Sequence, residues 1–148
     1  MRNLILLATI CSSLALAQTA RGEEAEVVVV LNQRNPTKAM TPAQAKAIYL
    51  GNTAFWNGTV PIRVISRTAS SPAAVFFDKV VEMSAQRFSS YWTSRQLAGQ
   101  GVKPAEVESV TTLVEQIKKN PGAVGFALKS ELSGLDLTGL NIISLKGT

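Results

Sequence analysis

Val60-Pro-Ile-Arg-Val-Ile-Ser-Arg-Thr-Ala-Ser-Ser-Pro-Ala-Ala-Val-Phe-Phe-Asp-Lys-Val-Val81 decides the fold. Its first part is rich in β-branched residues (Val60, Ile62, Val64, Ile65), and Pro61 stands near the start, where a missing N–H is tolerated; this predicts a strand. Ala73, Phe76, Phe77, Val80 and Val81 then recur at helical spacing and share one apolar face. Ser71 is a candidate N-cap and Pro72 suits the first helical position. A strand that feeds a helix N-terminus gathers free N–H donors and a positive dipole end, where an anion can sit, with Arg67 beside it. The same geometry also serves as a plain strand-to-helix turn, so the stretch by itself leaves both readings open.

Working outward, the flanking segments alternate between the two periodicities. Val27 to Leu31 is a continuous apolar run, as expected of a strand covered on both faces. Thr41-Pro-Ala-Gln44 opens a helix with a cap, a first-position proline and a Gln for the capping box, and Gly51 closes it. Phe55 and Trp56 sit in a turn-rich link and are expected to plug the core beneath it. After the central stretch, Ser84 caps a helix whose Phe88, Tyr91, Trp92 and Arg95 fall on one side. Trp92 or Arg95 could reach a surface groove from there. Gly99-Gln-Gly101 and Lys103-Pro104 form a loop. Val110, Leu113, Val114 and Ile117 mark a further helix, stopped by Asn120-Pro-Gly122. Ala123 to Leu128 and Gly139 to Leu145 are short strands. The predicted fold class is α/β, with a mostly parallel, helix-flanked sheet.

The start of the chain reads as an address. Met1-Arg2-Asn3 is basic, Leu4 to Leu16 is apolar, and Ala15-Leu-Ala17 or Gln18-Thr-Ala20 offers a small-residue cleavage site. Residues 1–20 are therefore expected to be a signal peptide cleaved near Ala17 or Ala20, and residues 21–148 a single exported, periplasmic domain with no membrane span. The lone Cys11 lies in the discarded segment, which leaves no disulfide and no thiolate. The chain has no histidine, so Ser-His-Asp and Cys-His catalysis are excluded. Acidic residues are scattered, with no metal cage, and neither a cofactor nor an enzyme is expected. The net charge of +5 is dispersed along the sequence. That favours small anions over nucleic acid.

Four segments in order resemble the phosphate-binding family of periplasmic substrate-binding proteins, the receptors of ABC phosphate importers. They are Thr41-Pro-Ala-Gln44 through Ala47-Ile-Tyr-Leu-Gly51 with Phe55-Trp-Asn-Gly58; Val64-Ile-Ser-Arg67 with Ser71 and Phe77; Tyr91-Trp92 with Gly99-Gln-Gly101; and Asn120-Pro-Gly-Ala-Val-Gly-Phe126. Together they cover nearly all of the chain after residue 20, and the resemblance implies a single periplasmic-binding-protein-like lobe. It also implies a small oxyanion ligand, phosphate or similar, and an ABC permease or other periplasmic protein as partner. Full receptors close two lobes on the anion, so another copy, in a homodimer, or another protein would supply the second half.

The anion loop departs from the family pattern Arg-Ser-Asp-Gly-Ser-Gly-Thr. Arg67 and Ser71 match it, but Ala69 stands at the aspartate, Ser70 and Pro72 at the glycines, and Ala73 at the threonine. Pro72 also removes one N–H donor. The expected site is weak and shallow, formed by Arg67, Ser70, Ser71 and the backbone of Ala73 and Ala74. The alternative is a ligand-free lobe that acts on a protein partner through its surface.

Overall fold

The computed structural model describes residues 25–145, so the expected export signal and its cleavage at Ala17 or Ala20 lie outside the described residues. Five strands, β1 (Val27–Asn32), β4 (Arg63–Arg67), β5 (Ala105–Val107), β6 (Ala123–Leu128) and β7 (Leu140–Ser144), form one sheet in the order β5-β4-β6-β1-β7. β4 pairs in parallel with β5 and β6, whereas β1 lies antiparallel between β6 and β7. Four strands thus run one way and β1 alone runs against them. A short hairpin, β2 (Phe55–Trp56) with β3 (Val60–Pro61), stands outside this sheet.

Burial follows from the period of the strands. In β1, Val27, Val29 and Leu31 face one layer, and Val28 and Val30 face the other, so both faces are dry. The first layer holds α1 (Pro42–Tyr49), a helical segment after Ser71, and α2 (Ala85–Leu97). Its centre is aromatic: Phe76 and Phe126 stack with centroids 4.0 Å apart, and Tyr49 meets both edge-on. The second layer is α3 (Val110–Lys119), which sets Leu113, Val114 and Ile117 against Val28, Val30 and Ile65. Here Gly125 is required by packing, since a Cβ would lie 2.4 Å from Leu113 Cδ1.

The expected caps form: Thr41 and Gln44 make the reciprocal capping box of α1, and Ser84 Oγ accepts from Arg87 N–H. Ser109, not singled out from the sequence, caps α3 by accepting from Thr112 N–H. The central helix differs in winding from expectation. Pro72–Ala74 is a 3-10 turn, and Phe77–Val81 is π-wound, ending at Glu82 with φ of 60°. Its apolar face is nonetheless buried as its spacing predicts, from Ala73 to Val81. Trp56 is buried, with its indole N–H donating to Gly122 O at 3.0 Å, whereas Phe55 is 51% exposed on the hairpin and plugs nothing.

Candidate functional site

The expected anion loop follows β4 at the sheet's C-terminal edge. Ser71 caps the helical segment as its position predicts, its Oγ accepting from Ala73 N–H at 3.2 Å. Ser71 N–H donates to Thr68 O and Ala74 N–H to Ser71 O. Ser70 is exposed, and its hydroxyl lies 3.2 Å from Thr68 Oγ1. Ala73 is fully buried and Ala74 half-buried. Ser70, Ser71, Ala73 and Ala74 are thus brought together, but the Ser71, Ala73 and Ala74 N–H groups already have protein acceptors.

Arg67 turns inward from this loop. Its side chain is 1% exposed, and Nη2 meets Glu131 Oε1 at 3.0 Å. The same nitrogen donates to Glu108 O at 3.2 Å, while Nη1 reaches Phe126 O and Glu131 Oε2, both at 3.4 Å. Glu131 is held in turn, because its Oε2 accepts Leu128 N–H at 2.9 Å at the start of the 3-10 turn Lys129–Leu132. The carboxylate of this chain therefore occupies the guanidinium fork that an oxyanion would use. Among the described residues Arg67 Nε is buried without a hydrogen-bond partner. Beneath it, Tyr49 donates its hydroxyl to Ile65 O at 2.9 Å, and burial raises its pKa well above the usual phenol value, against the opposing pull of the Arg67 charge.

Glu131 was not among the residues singled out from the sequence. It lies 64 positions from Arg67. The only available hint was a lone acid opening a turn just after the apolar strand Ala123–Leu128.

A second feature lies at the opposite end of the sheet. A cleft of about 600 Å³ opens between the end of α1, the start of β4, the end of α2 and the loop before β5. Trp92 forms one wall, its indole N–H donating to Tyr49 O at 3.0 Å. The ring is wedged between Gly51 and Gly101, where an added Cβ would approach Cη2 to 2.7 Å and Cζ3 to 3.3 Å. Both glycines have positive φ (76° and 134°), so neither backbone position suits a side chain. Arg95 lies over Tyr91 and Trp92, 5.5 Å from each ring centroid, and donates to Tyr91 Oη and Gln100 O.

A mixed sheet with one reversed strand, sandwiched by helices and carrying a polar loop after β4, defines the class: the chain has the fold of a periplasmic-binding-protein-like lobe. Solved structures sharing that fold include a phosphate ABC transporter substrate-binding protein with bound phosphate from Clostridium perfringens, at 21% identity and a TM-score of 0.59 over 82% of this chain and 44% of that one. An ABC-type phosphate transport receptor from Vibrio cholerae aligns at 21% identity and 0.56, over 82% of this chain and 45% of that one. PstS from Borrelia burgdorferi aligns at 16% and 0.61, over 83% and 48%. The chain spans less than half the length of these structures. No family model and no curated protein matches the sequence.

Proposed function

We propose that this chain is a periplasmic binding-protein lobe that works as an interaction module on a partner protein, with its Arg67 loop closed to free oxyanion. One observation carries the reading: the Arg67 guanidinium is already neutralised by Glu131 inside the protein. Three of the loop's backbone donors, the Ser71, Ala73 and Ala74 N–H groups, are also taken, by a hydroxyl and carbonyls of the loop itself. An incoming phosphate would have to displace a carboxylate that is itself anchored by Leu128 N–H, and each charge-assisted hydrogen bond lost this way costs roughly 1.5–3 kcal/mol. The reading is non-enzymatic, like the substrate-binding proteins whose fold the chain shares.

A second reading is capture of phosphate or a similar small oxyanion for an ABC permease, with another copy or another protein completing the cleft. It is favoured by the likeness to a phosphate-bound structure and by the unpartnered Arg67 Nε and exposed Ser70 beside the loop.

Calorimetric titration of the exported chain with phosphate, then sulfate, separates the two. The module reading expects no heat of binding up to millimolar anion. Micromolar phosphate affinity would overturn it and establish the receptor reading, which in turn expects Arg67→Ala with Ser71→Ala to abolish the signal.

A further inference from the structure

The cleft beside Trp92 is the first of three adjoining depressions. It shares Ile62 and Arg63 with a second, formed by Val60, Pro61 and the Asn120–Gly122 turn. That one shares Pro121 with a third, bounded by Asn32, Arg34, Lys118 and Lys119. All three lie at one end of the sheet, where β4, β5, β6 and β7 begin and the reversed β1 ends. Arg95, Lys103, Arg63, Lys119, Lys118 and Arg34 line them, and among the described residues the linings include no Asp or Glu. Lys118 is paired with Asp136, but among the described residues none of the other five is in an ion pair. Elsewhere on the described surface Lys46 is matched to Glu82 and Lys129 to Glu26, whereas Lys38 and Arg87 are in no ion pair and line none of the three depressions.

We propose that this track is a docking site for an extended acidic segment of a partner protein, one that alternates carboxylates with aliphatic side chains. The charges call for an anion, and the floor selects its kind. Ile48, Ile62 and Val64 line the first cleft, with Val102 81% exposed at its rim and Leu97 84% exposed at the end of α2. Such a floor receives aliphatic side chains rather than a bare polyanion. Trp92 is only 5% exposed and hydrogen-bonded, so it offers no free face on which a nucleobase could stack.

Length agrees with an extended chain. Crossing from β5 to β7 takes four inter-strand steps of about 4.8 Å, roughly 19 Å in all, which about six extended residues cover at ~3.3 Å each. The inference rests on the module reading and supplies its missing surface. Phosphate titration tests that reading separately from the experiment below.

The probe is a fluorescein-labelled (Glu-Val)₃ peptide, followed by fluorescence anisotropy with the exported chain. It is expected to saturate below about 1 mM in low salt and to weaken as salt screens the exposed charges. Arg63→Glu with Lys119→Glu, both on exposed side chains, is expected to weaken it roughly 10- to 30-fold without moving the melting temperature. Arg87→Glu, exposed in the first turn of α2 away from the track, should leave it unchanged. A (Glu-Ser)₃ probe should bind less tightly than (Glu-Val)₃. Failure of (Glu-Val)₃ to saturate, or equal binding by the double variant, overturns the proposal. So does binding of an oligothymidylate or of phosphatidylglycerol vesicles where the peptide fails, which would assign the track to another polyanion.

Discussion

Glu131→Gln removes the negative charge from the Arg67 pair while keeping an amide oxygen that can accept from Leu128 N–H. The side chains of Arg67 and Glu131 are 1% and 14% exposed, so little water replaces the lost carboxylate. The remaining acceptors, Phe126 O at 3.4 Å and Glu108 O at 3.2 Å, are neutral carbonyls. Breaking a buried pair from one side costs about 3–5 kcal/mol, because the surviving charge is stranded. The retained hydrogen bond places this substitution at the lower end, about 3 kcal/mol. For a domain of this size that corresponds to roughly 10–15 °C in melting temperature. Thermal and urea unfolding of the variant should both register it. Glu82→Gln, which breaks the exposed pair with Lys46, should leave the melt unmoved and serves as the control. If Glu131→Gln melts within about 2 °C of the parent chain, Arg67 is not a sealed charge and the closed-loop argument fails. Glu131→Ala extends the test. If phosphate can take the vacated place, it should raise that variant's melting temperature, by an amount equivalent to about 2.7 kcal/mol at 100 times its dissociation constant.

Two further outcomes are expected. Gly122→Ala should cost about 2–3 kcal/mol in urea unfolding and shift the Trp56 emission, because its Cβ would lie 2.3 Å from the rigid backbone oxygen of Pro61 beneath the hairpin; an unperturbed melt would contradict the packing. Asp136 is held at a pKa of about 2 by hydrogen bonds from Thr138, with Lys118 contributing next. A lowered folded-state pKa gives stability that is present above the unfolded value near 3.8 and lost as pH falls toward 2. The acid limb of the melting curve should therefore flatten between those values in Asp136→Asn, and an identical limb would contradict the assignment.

The elements of the fold were legible because their signals are local. Thr41, Ser71 and Ser84 cap helical segments through atoms two or three residues away, so chain order alone reveals them. The run Val27–Leu31 announced a strand covered on both faces. Its direction was not announced, since an apolar run reads the same in a parallel or an antiparallel setting; that β1 runs against the other four strands is fixed by its pairings with β6 and β7, about a hundred positions away. β5 escaped notice because three residues, Ala105-Glu-Val107, carry no measurable period. The π-winding after Phe76 escaped because one apolar face serves a tight or a loose helix equally well.

The site divides along the same line. Ser71 as a cap is a short-range fact, and it was read correctly. Whether Arg67 faces a ligand or the core depends on Glu131, which the fold brings to it from the turn after β6, and no spacing rule links the two. The cationic end is the stronger case. Arg34, Arg63, Arg95, Lys103 and Lys119 lie far apart in sequence, with acids interspersed, so the chain reads as evenly charged. A sheet of mostly co-directional strands undoes that mixing by placing each turn at one end or the other. The acids Glu108 and Glu131 follow β5 and β6 and stand at the far end, around Arg67. Arg34 follows the reversed β1, and Arg63 opens β4, so both arrive at the near end. The segregation of charge is thus a product of topology: had β1 run with its neighbours, Arg34 would stand beside Arg67 and Glu131 and the track would lose its far anchor.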